Sequence, residues 1–143
     1  MSSVLPIATS GMLAAATRLD VTASNTANIL TTGPLPANGG AGATVNAGFP
    51  SAHVPLAFNQ VDNSSPAGPS GALGTVSPIS PSFVAVSDPG APFANQEGLV
   101  AAPNLDPVQL FVQTAIAKYA SAASANVANA GSQMAKSLLD VLT

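Results

Sequence analysis

The chain has 143 residues, a length that suits one ordinary domain, and only 6% of them are charged, where about a quarter is typical. Its three basic residues, Arg18, Lys118 and Lys136, lie far apart in the sequence, which excludes a phosphate-binding patch and predicts no nucleic-acid partner. The absence of cysteine excludes a disulfide framework and a thiolate metal site.

A surface with so little charge consists mainly of Ala, Ser, Thr, Asn, Gly and Pro. Because a soluble monomer normally depends on charged side chains at its surface, this composition predicts a chain that packs into an assembly. We expect no membrane span, since no run reaches the ~18 uninterrupted apolar residues that one needs. The N-terminus lacks the basic region of a signal peptide, so we expect any export to proceed without a cleaved leader.

The first predicted element is a helix over about residues 3–29. Small and apolar side chains recur there at alternating steps of three and four, a heptad pattern typical of helix-on-helix packing. Gly33 is expected to end this segment in a left-handed conformation, and Pro34 cannot continue a helix. The heptad positions are Leu5, Ala8, Met12, Ala15, Leu19, Thr22, Thr26 and Ile29.

The middle of the chain, residues 34–104, is rich in Gly, Pro, Ser and Asn, which excludes a long helix. Three short runs favour strands: HVPLAFNQV, LGTVSPI and PSFVAVS. We expect a small, irregular β insertion with long loops. Residues 37–48, ANGGAGATVNAG, are expected to be flexible unless neighbouring molecules order them.

The last predicted element is a longer helix over residues 106–142. Asp106 fits the N-cap position and Pro107 fits the first helical position. The middle of this helix, ASAASANVANAG, consists almost entirely of small residues, which favours close packing on other helices. One side of it carries Ile116, Ala120, Ala123, Val127, Ala130, Met134, Ser137 and Val141.

Together these elements predict a mainly α fold, in which two long terminal helices form an antiparallel coiled-coil-like pair around the β insertion. The expected segments are 1–33 for the N-terminal helix and its C-cap, 34–104 for the insertion, and 105–143 for the C-terminal helix. A lone helical hairpin would carry Lys and Glu on its wet faces, whereas these helices carry Ser, Thr, Asn and Gln. We therefore predict that other subunits cover the helices, although an intramolecular core is the ordinary explanation for any single apolar stripe.

The predicted subunit-interface residues lie on both helices. Asn25 and Asn28 are expected to bond across helices, with plain surface positions as the alternative. Arg18 and Asp20 form either a local pair or a bridge between subunits. The full interface set is Leu5, Met12, Leu19, Asn25, Asn28, Ile29, Val112, Ile116, Val127, Met134 and Leu138.

No group of residues in the sequence suggests chemistry. The one histidine, His53, has no cysteine and no carboxylate pair beside it, so we interpret it as a loop or interface residue. Asp88, Pro89 and Gly90 are first of all a turn signal. We predict no catalytic, metal-binding or cofactor-binding residues and no enzymatic activity.

The stretch SGMLAAATRLDVTASNTANILTTG resembles the N-terminal signature of the bacterial flagellar axial proteins, the family that forms the rod and hook. The resemblance is contiguous. Its motif residues include Ser10, Gly11, Arg18, Asp20 and Gly33.

A second stretch, DPGAPFANQEGLVAAPNLDPVQLFV, resembles the segment before the C-terminal helix in the proximal rod group of that family, the FlgC group. Its motif residues include Asp88, Pro89, Gly98, Pro103 and Asn104. The two stretches together cover somewhat over a third of the chain.

The resemblance implies a structural subunit of the flagellar basal-body rod, the shaft that spans the periplasm. Members of this family are exported unfolded by the flagellar type III apparatus, assemble through their terminal helices into tubes and transmit torque from motor to hook. The implied partners are copies of the chain itself, other rod proteins and the export apparatus, without a cofactor. The alternatives are another short rod protein, FlgB-like or related to the distal rod, and a small secreted, non-enzymatic binding module.

Overall fold

The computed structural model of the chain describes residues 3–35, 48–63 and 71–141. Two helices account for about half of these residues, so the mainly α expectation is met only in part. Most of the Gly-rich stretch that we predicted to be flexible, residues 37–47, lies outside the described residues. In chain order the elements are α1 (Val4–Ala27), β1 (Leu56–Asn63), β2 (Gly71–Pro78), β3 (Phe83–Ser87), β4 (Leu99–Pro103) and α2 (Pro107–Val141).

Helix α1 agrees with the first predicted helix to within two residues at its end. It stops at Ala27, and a turn follows. In this turn the Asn28 amide donates to Ser24 O at 3.2 Å and the Thr31 amide donates to Asn28 O at 3.1 Å. These bonds satisfy backbone groups at the helix end without a left-handed residue.

Our expectation for Gly33 was wrong. Among the described glycines, positive φ occurs at Gly48 and Gly98, and Gly33 is instead paired with Ala101 as an isolated antiparallel bridge. The Gly33 amide donates to Ala101 O at 3.0 Å, and Gly33 O accepts the Ala101 amide at 2.9 Å. A β-carbon at position 33 would lie 2.7 Å from Pro50 O, so glycine is needed for close backbone approach rather than for its φ angle.

Helix α2 begins where the sequence predicts. Asp106 Oδ1 accepts a hydrogen bond from the Val108 amide at 2.9 Å, which is the N-cap geometry, and Pro107 is the first helical residue. The predicted cap is therefore confirmed. The helix continues for 35 residues to Val141.

The strands form two separate two-stranded sheets, β1 with β2 and β3 with β4. The first three overlap the three predicted runs, but β4 was not predicted as a strand. Its sequence, LVAAP, lacks the alternation of polar and apolar residues by which a half-buried strand is recognised. Three of its five residues are buried, and a strand buried on both faces does not alternate. Strands β3 and β4 are antiparallel, with Phe83 opposite Pro103 and Ser87 opposite Leu99.

The chain divides into two compact units. Unit 1 contains Met1–Asp20, Phe58–Thr75 and Phe111–Thr143; unit 2 contains Val21–Ala57 and Val76–Leu110. Each helix contributes to both units. Unit 1 combines parts of all three segments expected from the sequence.

In unit 1, helices α1 and α2 run antiparallel. Val4, at the start of α1, lies beside Gly131 of α2. Two residues before the end of the unit-1 part of α1, Arg18 Nη1 donates to Gln113 Oε1 at 3.0 Å. Residue numbers rise along one helix as they fall along the other. The two helices are therefore in contact and antiparallel, as the sequence predicts.

The expected coiled-coil pairing through large heptad residues is not shown. Ala8 and Ala15 are buried, whereas Leu5 and Leu19 remain 47% and 46% exposed. The side of α2 that faces α1 includes the buried residues Ala117 and Gly131, so the backbones approach closely and leave room only for small side chains. Of the heptad members, Ala8, Ala15 and Thr22 are buried, whereas Leu5 and Leu19 are exposed.

The core of unit 2 lies at β4. Val100 and Ala101 are fully buried, with Pro55 and Ser82 also enclosed. The Ile79 amide donates to Pro55 O at 2.8 Å, which joins the segment before β1 to the end of β2. Loops and strands therefore pack around the buried strand β4, and this packing forms the core of the small β unit.

Candidate assembly surface

Ionisable side chains do not converge on a reactive site in the described ranges, 3–35, 48–63 and 71–141, where no group of three or more His, Asp or Glu side chains could hold a metal ion. His53 lies in the loop before β1, half-buried, with Nε2 3.4 Å from Asn25 Oδ1. The surfaces of the helices are the more informative feature.

Helix α2 carries a continuous apolar stripe on an exposed side. Each helical residue advances about 100°, so Ile116, Val127 and Met134 fall within about 20° of one another. These three side chains are 41%, 49% and 51% exposed. We call this surface the α2 stripe; it consists of Val112, Ile116, Ala123, Val127, Ala130, Met134 and Leu138.

The other two sides of α2 differ clearly from the stripe. One is the small-residue side that faces α1, which includes Ala117 and Gly131. The other bears all the charge of the helix, with Lys118, Lys136 and Asp140 roughly 120–160° around from the stripe. A helix whose charges avoid one exposed apolar side is suited to a partner on that side.

Helix α1 has a smaller exposed stripe of its own. Leu5, Met12 and Leu19 are seven residues apart and therefore lie on one side of the helix. Leu5 and Leu19 are about half exposed and Met12 is half-buried. This α1 stripe flanks the buried alanines that contact α2.

A groove runs between α1 and α2 in unit 1, with a volume of about 530 Å³. Its walls consist mostly of small residues. The lining residues are Ala15, Ala16 and Leu19 of α1 and Thr114, Ala117, Lys118, Ser121, Ala122 and Ala125 of α2.

The structure leaves most of the predicted interface residues accessible. Met12, Asn28 and Ile29 are half-buried, and Asn25 is buried. The exposed members are Leu5, Leu19, Val112, Ile116, Val127, Met134 and Leu138.

Among the described residues, the side chains of the two asparagines bond to β1 and to α1 itself. Asn25 Nδ2 donates to Leu56 O at 2.7 Å, and Asn25 Oδ1 accepts the Leu56 amide at 3.0 Å. Asn28 Nδ2 donates to Ser24 O at 2.9 Å, one turn back in the sequence. The buried Asn25 side chain thus holds the start of β1, and Asn28 supports its own helix end.

The first group of motif residues braces unit 1 and the end of α1. Ser10 Oγ donates to Ile7 O at 2.8 Å and accepts the Ala72 amide at 3.1 Å, which attaches β2 to α1. Arg18, besides its bond to Gln113, lies over the Phe58 ring at 4.6 Å from the centroid.

Three other residues complete that group. Gly11 lies against Ser124, where an added β-carbon would come within 2.5 Å of Ser124 Oγ. Gly33 pairs with Ala101. Asp20 is exposed, and its pairing, local or between subunits, stays a prediction.

The second group of motif residues shapes the connection around β3 and β4. The Asp88 amide donates to Gly98 O at 2.9 Å, and Gly98 has a φ of 73°; an added β-carbon there would lie 3.1 Å from the Pro89 ring. Asn104 donates through its amide to Ser82 O and through Nδ2 to Pro81 O, both at 2.9 Å.

These motif residues make contacts inside the chain. Pro103 is buried in β4. The recognisable motif residues therefore build the subunit and shape the surface that α1 and α2 present.

Sequence reasoning missed several exposed apolar residues and the groove. Leu13, Phe111, Tyr119 and Leu139 are 64–75% exposed. An aromatic residue on a helix of small side chains was the available signal for Phe111 and Tyr119. The groove had no sequence signal, because it forms only where two helices meet.

Residues 5–34 match the sequence model of the family described as Flagella basal body rod protein. No curated protein sequence matches the chain significantly. Within the part of the chain that the structure describes, neither helix is long and apolar enough to cross a membrane.

The matched residues cover α1 and the turn after it, which include the first group of motif residues. This match supports a structural role in the rod, a location in the flagellar basal body and assembly with other rod proteins. Through its first helix, the chain is therefore similar to the flagellar basal body rod family.

Proposed function

We propose that the chain is a proximal-rod subunit of FlgC type, which works without enzymatic activity as a rigid element of the shaft that transmits torque from motor to hook. Its partners are copies of itself and other rod proteins. It passes through the flagellar type III export apparatus. The similarity of residues 88–112 to the proximal rod group supports this choice over FlgB-like or distal-rod proteins.

The exposed apolar stripes on both terminal helices carry the proposal. An isolated helical pair in water would gain from charge on these sides, yet the α2 stripe contains none. Covering such a stripe removes apolar surface from water. Each Å² buried in this way stabilises the contact by about 25 cal/mol. We infer that the stripes pack against neighbouring subunits, while residues 34–104 supply outer contacts.

The mechanism is mechanical. Small residues let helix backbones approach closely, and each close contact adds a small dispersion attraction. Repeated around a shaft, many such contacts resist torsion without any single strong bond. The segments 1–33 and 105–143 then act as the axial elements of the subunit.

Two adjacent positions of α2 test the proposal. Ala130 lies on the α2 stripe and Asn129 on the charged side, and both are exposed. Ala130→Glu places a carboxylate where a neighbour packs, so we expect self-association to weaken by about tenfold or more. Asn129→Glu adds the same charge to the same helix and should change association by less than about twofold.

Sedimentation velocity across a concentration series measures the association of both variants, and circular dichroism checks that each keeps its helices. In the source bacterium, the Ala130→Glu variant should abolish swimming in soft agar and be missing from purified basal bodies, while the Asn129→Glu variant retains both. Equal behaviour of the two variants would contradict the proposal. A stable helical monomer at all concentrations would instead favour the secreted binding module.

A further inference from the structure

Strand β3 lies at the edge of its sheet in unit 2. Its neighbour β4 pairs with β3 along one side and, at Ala101, with Gly33 along the other. In the part of the chain that the structure describes, β3 itself pairs with β4 alone. The second side of β3 is therefore an open sheet edge, which we call the β3 edge.

Hydrogen bonds just outside the strand show which backbone groups face the β3 edge. The Asn104 amide donates to Ser82 O at 2.9 Å. At the other end of the strand, the Asp88 amide donates to Gly98 O, also at 2.9 Å, so positions 82 and 88 both face β4. Successive residues of an antiparallel strand direct their backbone groups to alternate sides. Three residues therefore direct their N–H and C=O groups to the β3 edge: Phe83, Ala85 and Ser87.

The β3 edge is accessible from both faces of the sheet. Val86 is 43% exposed, although Val100 directly opposite it is fully buried. Ala85 is exposed, although Ala101 opposite it is buried. The layers that cover both faces of β4 thus end before β3. Among the described residues, no hydrogen bond reaches the outward backbone groups of β3, which makes this edge a template for another strand.

The strand lacks the features by which proteins commonly block an exposed edge. Its sequence, FVAVS, contains no charged residue and no proline. Prolines stand instead two residues beyond each end of the outward-facing row, at Pro81 and Pro89. Since proline has no backbone N–H, the row ends at Phe83 on one side and at Ser87 on the other.

A second copy of β3 matches this row when it runs antiparallel. If Ala85 of one copy lies opposite Ala85 of the other, Phe83 lies opposite Ser87, and every residue of the row donates once and accepts once. The prolines then lie opposite each other, outside the row. A shift by two residues would place Pro89 opposite Phe83, and a carbonyl of the row would lose its donor.

The side chains also complement one another in this arrangement. Val84 of one copy lies opposite Val86 of the other as a non-hydrogen-bonded pair, the position at which cross-strand side chains are closest. Both valines are about half exposed in the single chain, and the two copies together bury them against each other. The nearest charge, on Asp88, lies opposite Ser82 rather than opposite another carboxylate. Charge repulsion therefore does not oppose the contact.

We propose that the β3 edges of two copies pair antiparallel about Ala85 and join their sheets into one. The partner is a second copy because the donor row, its bounding prolines and its valines all match themselves under a two-fold rotation. Such a contact closes at a pair, so it belongs to the free protein and not to the repeating contacts of a shaft. It goes beyond the proposed rod function and uses no residue of the α2 stripe.

Amide hydrogen exchange followed by NMR tests the pairing. The full-length Ala130→Glu variant is used, so that association through the α2 stripe does not interfere. Between about 0.02 and 1 mM protein we expect the amides of Phe83, Ala85 and Ser87 to exchange about fivefold more slowly at the higher concentration. The amide of Gly90, in the exposed turn after β3, is the control and should change by less than about twofold.

The absence of native cysteine permits a disulfide test of the register. A Val84→Cys variant is mixed with a longer-tagged Val86→Cys variant, oxidised briefly and separated by mass without reductant. The Cα atoms of positions 84 and 86 on two copies would be about 4.5 Å apart, whereas two copies of position 84 would be about 8 Å apart, too far for a disulfide. We therefore expect the heterodimer to exceed both homodimers by about tenfold. Val76→Cys, at a 45% exposed valine of β2, is the matched control and should not be enriched with either variant.

Three results would overturn the inference. Exchange of the outward amides that does not depend on concentration would exclude pairing between copies, and slow exchange already at the lowest concentration would show that the chain itself covers the edge. Val84→Cys homodimers as the main product would indicate parallel strands. None of these results touches the rod function, which depends on the comparison of Ala130→Glu with Asn129→Glu; equal swimming of those two variants would in turn leave the β3 pairing intact.

Discussion

At the scale of single residues, the buried side chain of Asn25 takes the place of a backbone hydrogen-bond partner. The side-chain amide of Asn25 offers one N–H donor and one C=O acceptor to Leu56, the same pair that a neighbouring strand would offer. Asn25 is only 3% exposed, so water cannot take over these bonds. Helix α1 thereby substitutes for a strand at the beginning of β1.

Removal of this amide should destabilise the protein. For Asn25→Ala we expect a loss of about 1–3 kcal/mol in the free energy of unfolding, because the Leu56 amide and carbonyl lose their partner. The urea midpoint followed by circular dichroism measures this loss, and the Leu56 amide should exchange its hydrogen faster.

Asn28→Ala is the matched control for this prediction. Asn28 donates only to its own helix and is half-buried, so its removal should cost less than about 1 kcal/mol. Equal midpoints for the Asn25→Ala and Asn28→Ala variants would show that the Asn25–Leu56 pair contributes nothing.

At the scale of elements, several small side chains are buried on the two helices while several large ones are exposed. Ala8, Ala15 and Ala117 are buried, whereas Leu13 and Phe111 are largely exposed. In an isolated domain the large side chains would be expected to form the core. The arrangement here is consistent with helices that complete their packing in an assembly.

The backbone bridge that joins the segment after α1 to β4 depends on glycine at position 33. In the Gly33→Ala variant the methyl group would meet Pro50 O at 2.7 Å and the neighbouring backbone more closely still. Backbone atoms cannot move aside cheaply, so we expect a loss of about 1–3 kcal/mol in stability and a lower thermal midpoint.

Gly90→Ala is the control for this loss. A β-carbon at Gly90 would have Asp88 Oδ1, at 3.7 Å, as its nearest neighbour, which is an ordinary contact. The thermal midpoint of the Gly90→Ala variant should therefore stay close to that of the wild type. A Gly33→Ala variant as stable as the wild type would contradict the close approach of the 33 and 50–52 backbones.

At the scale of the whole molecule, the small number of charges is the dominant property. Six acidic and three basic residues give a net charge of -3, and the α2 stripe contains none of them. Association through such a surface depends on the removal of apolar area from water rather than on ion pairs.

Salt therefore distinguishes apolar from electrostatic assembly. Raising sodium chloride from about 0.05 to 0.5 M should change the association constant by less than about threefold, although the screening length falls severalfold. Ammonium sulfate should strengthen association, since it favours burial of surface. Sedimentation equilibrium measures both effects, and a tenfold loss in sodium chloride would indicate ion pairs at the interface.

The sequence alone determined the features that depend on neighbours along the chain. The N-cap at Asp106, the extent of both helices to within a few residues and the positions of β1 to β3 follow from local hydrogen bonding and side-chain alternation. The rod-family signature in α1 is likewise contiguous, so it was recognisable without a fold.

Only the tertiary structure decided which side of each helix faces inward, why position 33 is glycine and where β4 lies. The heptad in α1 contains both Ala8 and Leu5, and periodicity does not say which of them meets α2. That choice depends on the small-residue side of α2, and the need for glycine at 33 depends on the backbone around Pro50. These surfaces are brought together from distant parts of the chain, so their shapes become known only when the chain has folded.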